Sequence, residues 1–96
     1  MTLRFHEEAE VEFREAFLWY EHQRKGLGLE FVLCVDEAIE RILRSPEMYP
    51  TIHKSFRRIV VRRFPFALFY EIAGSELRVL AVFHSRRDPD RWKSRT

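Results

Sequence analysis

An apolar strand runs straight into a cluster of planar side chains at the end of this chain: Val79-Leu-Ala-Val-Phe-His84-Ser-Arg86-Arg87-Asp-Pro89-Asp-Arg91-Trp92-Lys93. Strands usually give way to turn residues, so this composition is a signal of contact chemistry. Guanidinium groups bind phosphate or carboxylate through two parallel hydrogen bonds. Histidine is the side chain class that exchanges protons near neutral pH. Trp92 has two readings: a face for a base, an arginine or an apolar groove, or a terminal aromatic that folds back to close the core. His84 also has a functional and a structural reading: a proton carrier, or a residue that only caps the strand or packs against Trp92.

One reaction fits such a set. RNA is cleaved without a metal when its 2′-hydroxyl attacks the adjacent phosphate, which needs a base, an acid and cations around the transition state. Arg58, Arg62 and Arg86 supply the charge and His84 the proton carrier. A second proton-transfer group is lacking, because alternation points Tyr70 into the core and Lys54 lies in a loop. Other chemistries find less support. His6, His22, His53 and His84 lack metal-ligand spacing, and Cys34 is the single cysteine, which leaves no structural zinc site and no internal disulfide. No glycine-rich phosphate loop and no nucleophile elbow is present. The glutamates of the first helix read as a solvated face. No metal or cofactor is expected.

The elements that must position the cluster follow from the periodicity. Thr2 to Phe5 reads as a short strand. Residues 6–24 repeat apolar side chains at helical spacing through Ala9, Phe13, Ala16, Phe17 and Tyr20. Lys25-Gly-Leu-Gly28 links this helix to a second, which runs to about Arg44 and is stopped by Ser45-Pro46. So short a link predicts an antiparallel helical hairpin. Residues 46–55 read as loop. The period then changes to two, with strands over 57–62, 66–72 and 76–84, and a last turn or helix over 88–93. The fold class is α+β, in the order β-α-α-β-β-β: an antiparallel sheet with the hairpin on one face. Alternation puts Ile59, Val61, Leu68, Tyr70, Ile72, Val79, Ala81 and Phe83 against the helices. The other face then carries a cationic strip, Arg58 and Arg62 leading to His84, Arg86 and Arg87, beside an exposed floor of Val60, Phe69 and Val82. A partner is expected there.

The charge distribution agrees. Residues 1–47 hold 11 acidic and 6 basic side chains, and residues 48–96 hold 4 acidic and 11 basic, so an acidic helical half carries a cationic half. Arginine outnumbers lysine 14 to 3, which favours bidentate recognition of an anionic partner, nucleic acid or acidic protein. Residues 1–96 suit one domain, no apolar run is long enough to span a bilayer, no secretory signal opens the chain, and a cytoplasmic location is expected.

An ordered set of residues resembles the RelE/ParE superfamily of type II toxin–antitoxin toxins, which includes plasmid stabilisation proteins. The set is Trp19-Tyr-Glu21, Gly26-Leu-Gly28 with Phe31, Ser45-Pro46, Tyr49-Pro50, Arg58, Val60-Val-Arg-Arg-Phe-Pro-Phe66, Phe69-Tyr-Glu71, and Val79 through Pro89 with Trp92. The resemblance implies a fold of two helices on an antiparallel sheet. It also implies a growth-inhibiting toxin neutralised by a cognate antitoxin, with which it forms an oligomer and whose extended or helical tail lies across it. Two activities divide the superfamily. RelE-like members cleave mRNA on the ribosome; ParE-like members inhibit DNA gyrase. Arg58 and Arg86 match RelE positions, but Val60, Ala67 and Trp92 stand where RelE has a lysine, an arginine and a tyrosine. Phe64-Pro-Phe-Ala-Leu-Phe-Tyr70 is typical of the ParE-like branch. The resemblance therefore implies a non-catalytic gyrase inhibitor that contacts its target through Arg58, Arg62, His84, Arg86, Arg87 and Trp92. The alternatives are a metal-independent, ribosome-dependent endoribonuclease using Arg58, His84 and Arg86, and a relative that binds a partner without toxicity.

Overall fold

The chain folds in the order β1 (Thr2–Phe5), α1 (Glu7–Gln23), α2 (Leu27–Arg44), β2 (Thr51–His53), β3 (Phe56–Val60), β4 (Phe66–Ala73), β5 (Glu76–His84) and α3 (Asp90–Lys93). This is a computed structural model that describes residues 1–88 and 90–95; Pro89, part of the C-terminal motif, and Thr96 lie outside the described residues. Glu7, Glu8 and Glu10 sit in the first turn of α1, where backbone N–H groups favour negative charge, and His6 Nδ1 accepts the Glu8 N–H at 3.2 Å. Gly26 adopts φ 91°, which turns the chain between the helices. The carboxylate of Glu21 fixes that turn by accepting the N–H groups of Gly26 and Gly28 at 2.9 to 3.1 Å. Those bonds hold the Glu21 carboxyl below its ordinary range. At Gly28 the helices approach so closely that a Cβ would lie 2.8 Å from the Phe17 carbonyl oxygen and 2.9 Å from its ring.

The sheet has five strands in the order β1-β5-β4-β3-β2. Three features differ from the sequence reading. β1 pairs with β5 in parallel, so the sheet is mixed rather than antiparallel throughout. The segment read as loop over 46–55 contains β2, a three-residue edge strand against β3. The third feature moves side chains between faces. Phe69 pairs with Ala81 but Tyr70 pairs with Val79, which leaves Leu80 as an extra residue in β5. Such a bulge reverses the alternation beyond it. Val82 therefore packs with the helices, while Leu80, Ala81 and Phe83 share the opposite face.

Two apolar layers result. The hairpin contributes Ala9, Ala16, Tyr20, Phe31, Val35 and Ile42 to a core closed below by Ile59, Leu68, Tyr70, Leu77 and Val79. Tyr70 is fully buried, as alternation predicts, and its hydroxyl donates to the Pro46 carbonyl at 2.7 Å. Burial pushes its phenol up to about 12, against a smaller opposing effect of Arg57. On the other face Phe56, Ala67, Phe69, Leu80, Ala81 and Phe83 form a second cluster with Trp92 of α3, which packs on Phe69 and Phe56. The expected bare floor is thus largely closed: Phe69 is 7% exposed, Val82 lies on the helix side, and Val60 alone of the three stays open at 59%.

Candidate functional site

One opening on that face is a cavity of 240 Å³ where β3, β4 and the end of β5 meet. The cross-strand pairs Arg58–Phe69 and Ala67–Phe83 place its floor, because directly opposed residues share a face. Arg58 and Arg87 stand on its rim with His84 and Ser85, over an apolar base of Phe66, Ala67, Phe69 and Phe83. Arg87 lies over the Phe83 ring at 4.8 Å, which holds a flexible cation at a fixed height. Among the described residues, no carboxylate pairs with the side chains of Arg58 or Arg86, both of which are exposed. An arginine-rimmed hollow with an aromatic floor suits an anionic group carried beside an apolar one.

The six residues singled out from sequence do not stay together. Arg58, His84 and Arg87 line one cavity. Arg86 lies in the same turn but points outside it; its N–H donates to His84 Nδ1 at 3.1 Å. His84 thereby caps the turn. The bulge places its ring on the helix side, edge-on to Phe66 at 5.2 Å rather than against Trp92. There it also walls a second hollow with Trp19, Tyr20 and Ala16. Arg62 leaves the strip altogether, since β3 ends at Val60 and the guanidinium turns to Glu37 of α2 at 3.3 Å. Trp92 is 0% exposed. It stacks on Phe69 at 4.4 Å and 24°, with Phe56 and His53 at its edges. In this arrangement its ring closes the core and offers no open face. Its Nε1 is buried without a hydrogen-bond partner among the described residues.

Two residues of consequence gave no signal in the sequence. Glu12, read with the solvated glutamates of α1, has a side chain only 9% exposed, and Arg95, beyond the last element expected from the sequence, only 6%. They form a bidentate pair at 2.7 and 3.0 Å. Burial opposes the charge of Arg95, but the hydrogen bonds and charge of Glu12, with Glu8 beside it, outweigh burial and hold the guanidinium above its ordinary value. A sequence separation of 83 residues hides the pair from any reading of spacing.

A helical hairpin across one face of a sheet is the fold that the resemblance to the RelE/ParE superfamily implies. The fold matches a solved structure described as a chromosomal ParDE TA system from P. aeruginosa, with a TM-score of 0.77 at 17% identity, over 88% of this chain and 95% of that one. The family model of the ParE toxin of type II toxin–antitoxin system, parDE, matches residues 3–89, and the chain belongs to that family. Toxin ParE2 from two strains of Mycobacterium tuberculosis is 28% identical over 89 residues, covering 92% of this chain and 85% of the relative.

Proposed function

We propose that this chain is the growth-inhibiting member of a toxin–antitoxin pair, that it acts in the cytoplasm by binding and poisoning DNA gyrase, and that a cognate antitoxin holds it inactive. The observation that carries the non-catalytic reading is the make-up of the cavity. It has cations and an apolar floor but lacks an acid–base pair. Among the described residues its one imidazole, His84, uses Nδ1 to hold the Arg86 turn, and no lysine, tyrosine or carboxylate lines the wall. Tyr70 is buried under the hairpin and Trp92 is sealed against Phe69. Cleavage of RNA needs two proton transfers, whereas capture of a protein surface needs only shape and charge. Arg58, Arg86 and Arg87 are the target-contacting residues in this reading.

The antitoxin has a different surface available. Val11, Leu18, Trp19, Leu29 and Leu33 are 42% to 60% exposed on the hairpin and offer apolar side chains to a partner.

The test is induction without the antitoxin while labelled thymidine and labelled amino-acid incorporation are followed together. Failure of DNA synthesis first, with loss of supercoiling by purified gyrase, is the expected result. Earlier failure of protein synthesis with transcripts cut inside translated codons overturns it in favour of the endoribonuclease. Normal growth at full induction overturns toxicity itself.

A further inference from the structure

The bulge in β5 leaves a length of strand with no neighbour on one side, because β1 ends opposite Val79. Unpaired backbone groups at such an edge cost free energy unless something binds them. Here the Glu12 carboxylate and the Arg95 guanidinium do so. Glu12 Oε1 accepts the Val82 N–H at 3.0 Å across 70 residues. The same carboxylate receives both terminal nitrogens of Arg95, and Arg95 Nη1 also donates to the Leu80 carbonyl at 2.9 Å. Arg87 Nη1 approaches the second oxygen of Glu12 at 3.9 Å. The guanidiniums of Arg87 and Arg95 both lie over the Phe83 ring, at 4.8 and 5.3 Å. Glu12 thus joins α1, the bulge, the turn that carries Arg86 and Arg87, and the last described residue of the chain. Trp92 lies between these two anchors.

We propose that Glu12 and Arg95 form a positioning latch, which holds the Arg86–Arg87 turn and the Trp92 seal in the arrangement that binds the target. The inference rests on the reading of this face as the target surface. Glu12 and Arg95 act through their neighbours: neither lines the arginine-rimmed cavity. Position matters more than charge for such a pair, since planar cations discriminate only when their geometry is fixed.

Trp92 reports the latch directly. The chain has two tryptophans, and Trp19 is 60% exposed, so a Trp19→Phe parent leaves Trp92 as the sole indole. Glu12→Gln keeps an oxygen for the Val82 N–H while removing the charge that Arg95 and Arg87 share. Arg95→Ala removes the other partner, and Arg95→Lys restores one charged contact. In the intact chain, Glu12→Gln and Arg95→Ala are expected to shift Trp92 emission to the red, increase its quenching by acrylamide and weaken growth arrest about tenfold, the scale of one lost charged hydrogen bond. Arg95→Lys is expected to recover part of both readouts. Circular dichroism and melting confirm that each variant is folded at the assay temperature. A shielded Trp92 in both disrupted variants overturns the latch. So does an exposed Trp92 with undiminished growth arrest, which reduces the pair to a structural contact. Supercoiling by purified gyrase is measured in parallel. A parent that arrests growth but leaves supercoiling intact defeats the gyrase reading, while the latch is still decided by growth arrest and quenching.

Discussion

Arg58, Arg86 and Arg87 show how differently three neighbouring cations can be held. Arg87 is fixed from both sides, by the Phe83 ring and by Glu12. Arg58 is fixed only by its rung in the sheet. Arg86 is fixed through its backbone, whose N–H donates to His84, and its exposed side chain is left for a partner. Arg86→Ala therefore removes little from the folded protein, and its unfolding free energy, measured by denaturant titration, should change by about 0.5 kcal/mol at most, as is typical of surface substitutions. Growth arrest in the same variant should fall at least about tenfold if the guanidinium makes a charged hydrogen bond to its target. Unchanged arrest in a fully induced culture would remove Arg86 from the contact surface. Trp92 behaves oppositely. Its burial against Phe69 and Phe56 means that Trp92→Ala should cost about 3–5 kcal/mol, a large share of the stability of so small a domain. Denaturant titration measures that loss, and a loss under 1 kcal/mol would show the seal to be dispensable. Toxicity lost in Trp92→Ala is consequently no evidence of target contact.

Among the elements, the helical hairpin is the part most tightly specified. Gly26 supplies the backbone turn, Glu21 binds its N–H groups, and Gly28 lets α2 pass against Phe17. A methyl at position 28 meets a backbone oxygen at 2.8 Å, which cannot swing aside as a side chain can. Gly28→Ala should destabilise the protein by about 1–3 kcal/mol, the range for overpacking. Thermal melting checks this, and a neutral result would mean that the helices slide apart at little cost. The sheet is specified less evenly. β4 and the first half of β5 follow their alternation, whereas the backbone at the Leu80 bulge is bonded by Glu12 and Arg95, which come from opposite ends of the sequence.

At the scale of the whole molecule, the acidic half and the basic half are tied to each other by ion pairs. Glu30 accepts Arg63, Glu37 meets Arg62 and Glu76 meets Arg4 across the two halves, while Arg24 with Glu30, Arg41 with Glu37 and Arg78 with Glu76 pair within one half. The carboxyls of Glu21, Glu30 and Glu76 are all held below the ordinary value of 4.5, Glu21 by the backbone N–H groups of Gly26 and Gly28, Glu30 by Arg24 and Arg63, and Glu76 by Arg78. A carboxyl lowered on folding contributes stability above its unfolded pKa and loses it as pH falls through the folded one. Stability should therefore be level above about pH 5.5 and decline below 4.5, continuing to fall past the lowered values. Melting midpoints across pH 3 to 7 test the sign, and a midpoint that rose on acidification would contradict it. These pairs lie at the surface and are screened by salt, so the decline should be shallower at high ionic strength.

By itself the sequence determined whatever depends on local period and local chemistry. The helices end where Gly26 and Ser45-Pro46 place them, β5 starts and stops as read, Tyr70 faces inward, and the ordered motifs identify the superfamily. The parallel pairing of β1 was not legible, because a parallel partner can lie anywhere along a chain and leaves no turn signal. Nor was the edge strand β2, whose three residues are too few to show a period. At the candidate site, the arginines were legible as a cluster, but their arrangement was not. One extra residue in β5 moved Val82 and His84 to the helix side, and one folded-back turn decided between the two readings of Trp92 in favour of the core. Both depend on contacts between residues far apart in sequence, Glu12 with Arg95 and Phe69 with Trp92, whose energies exist only once the chain has folded. Residue type and spacing determine which groups are available; the tertiary structure decides which of them face outward together.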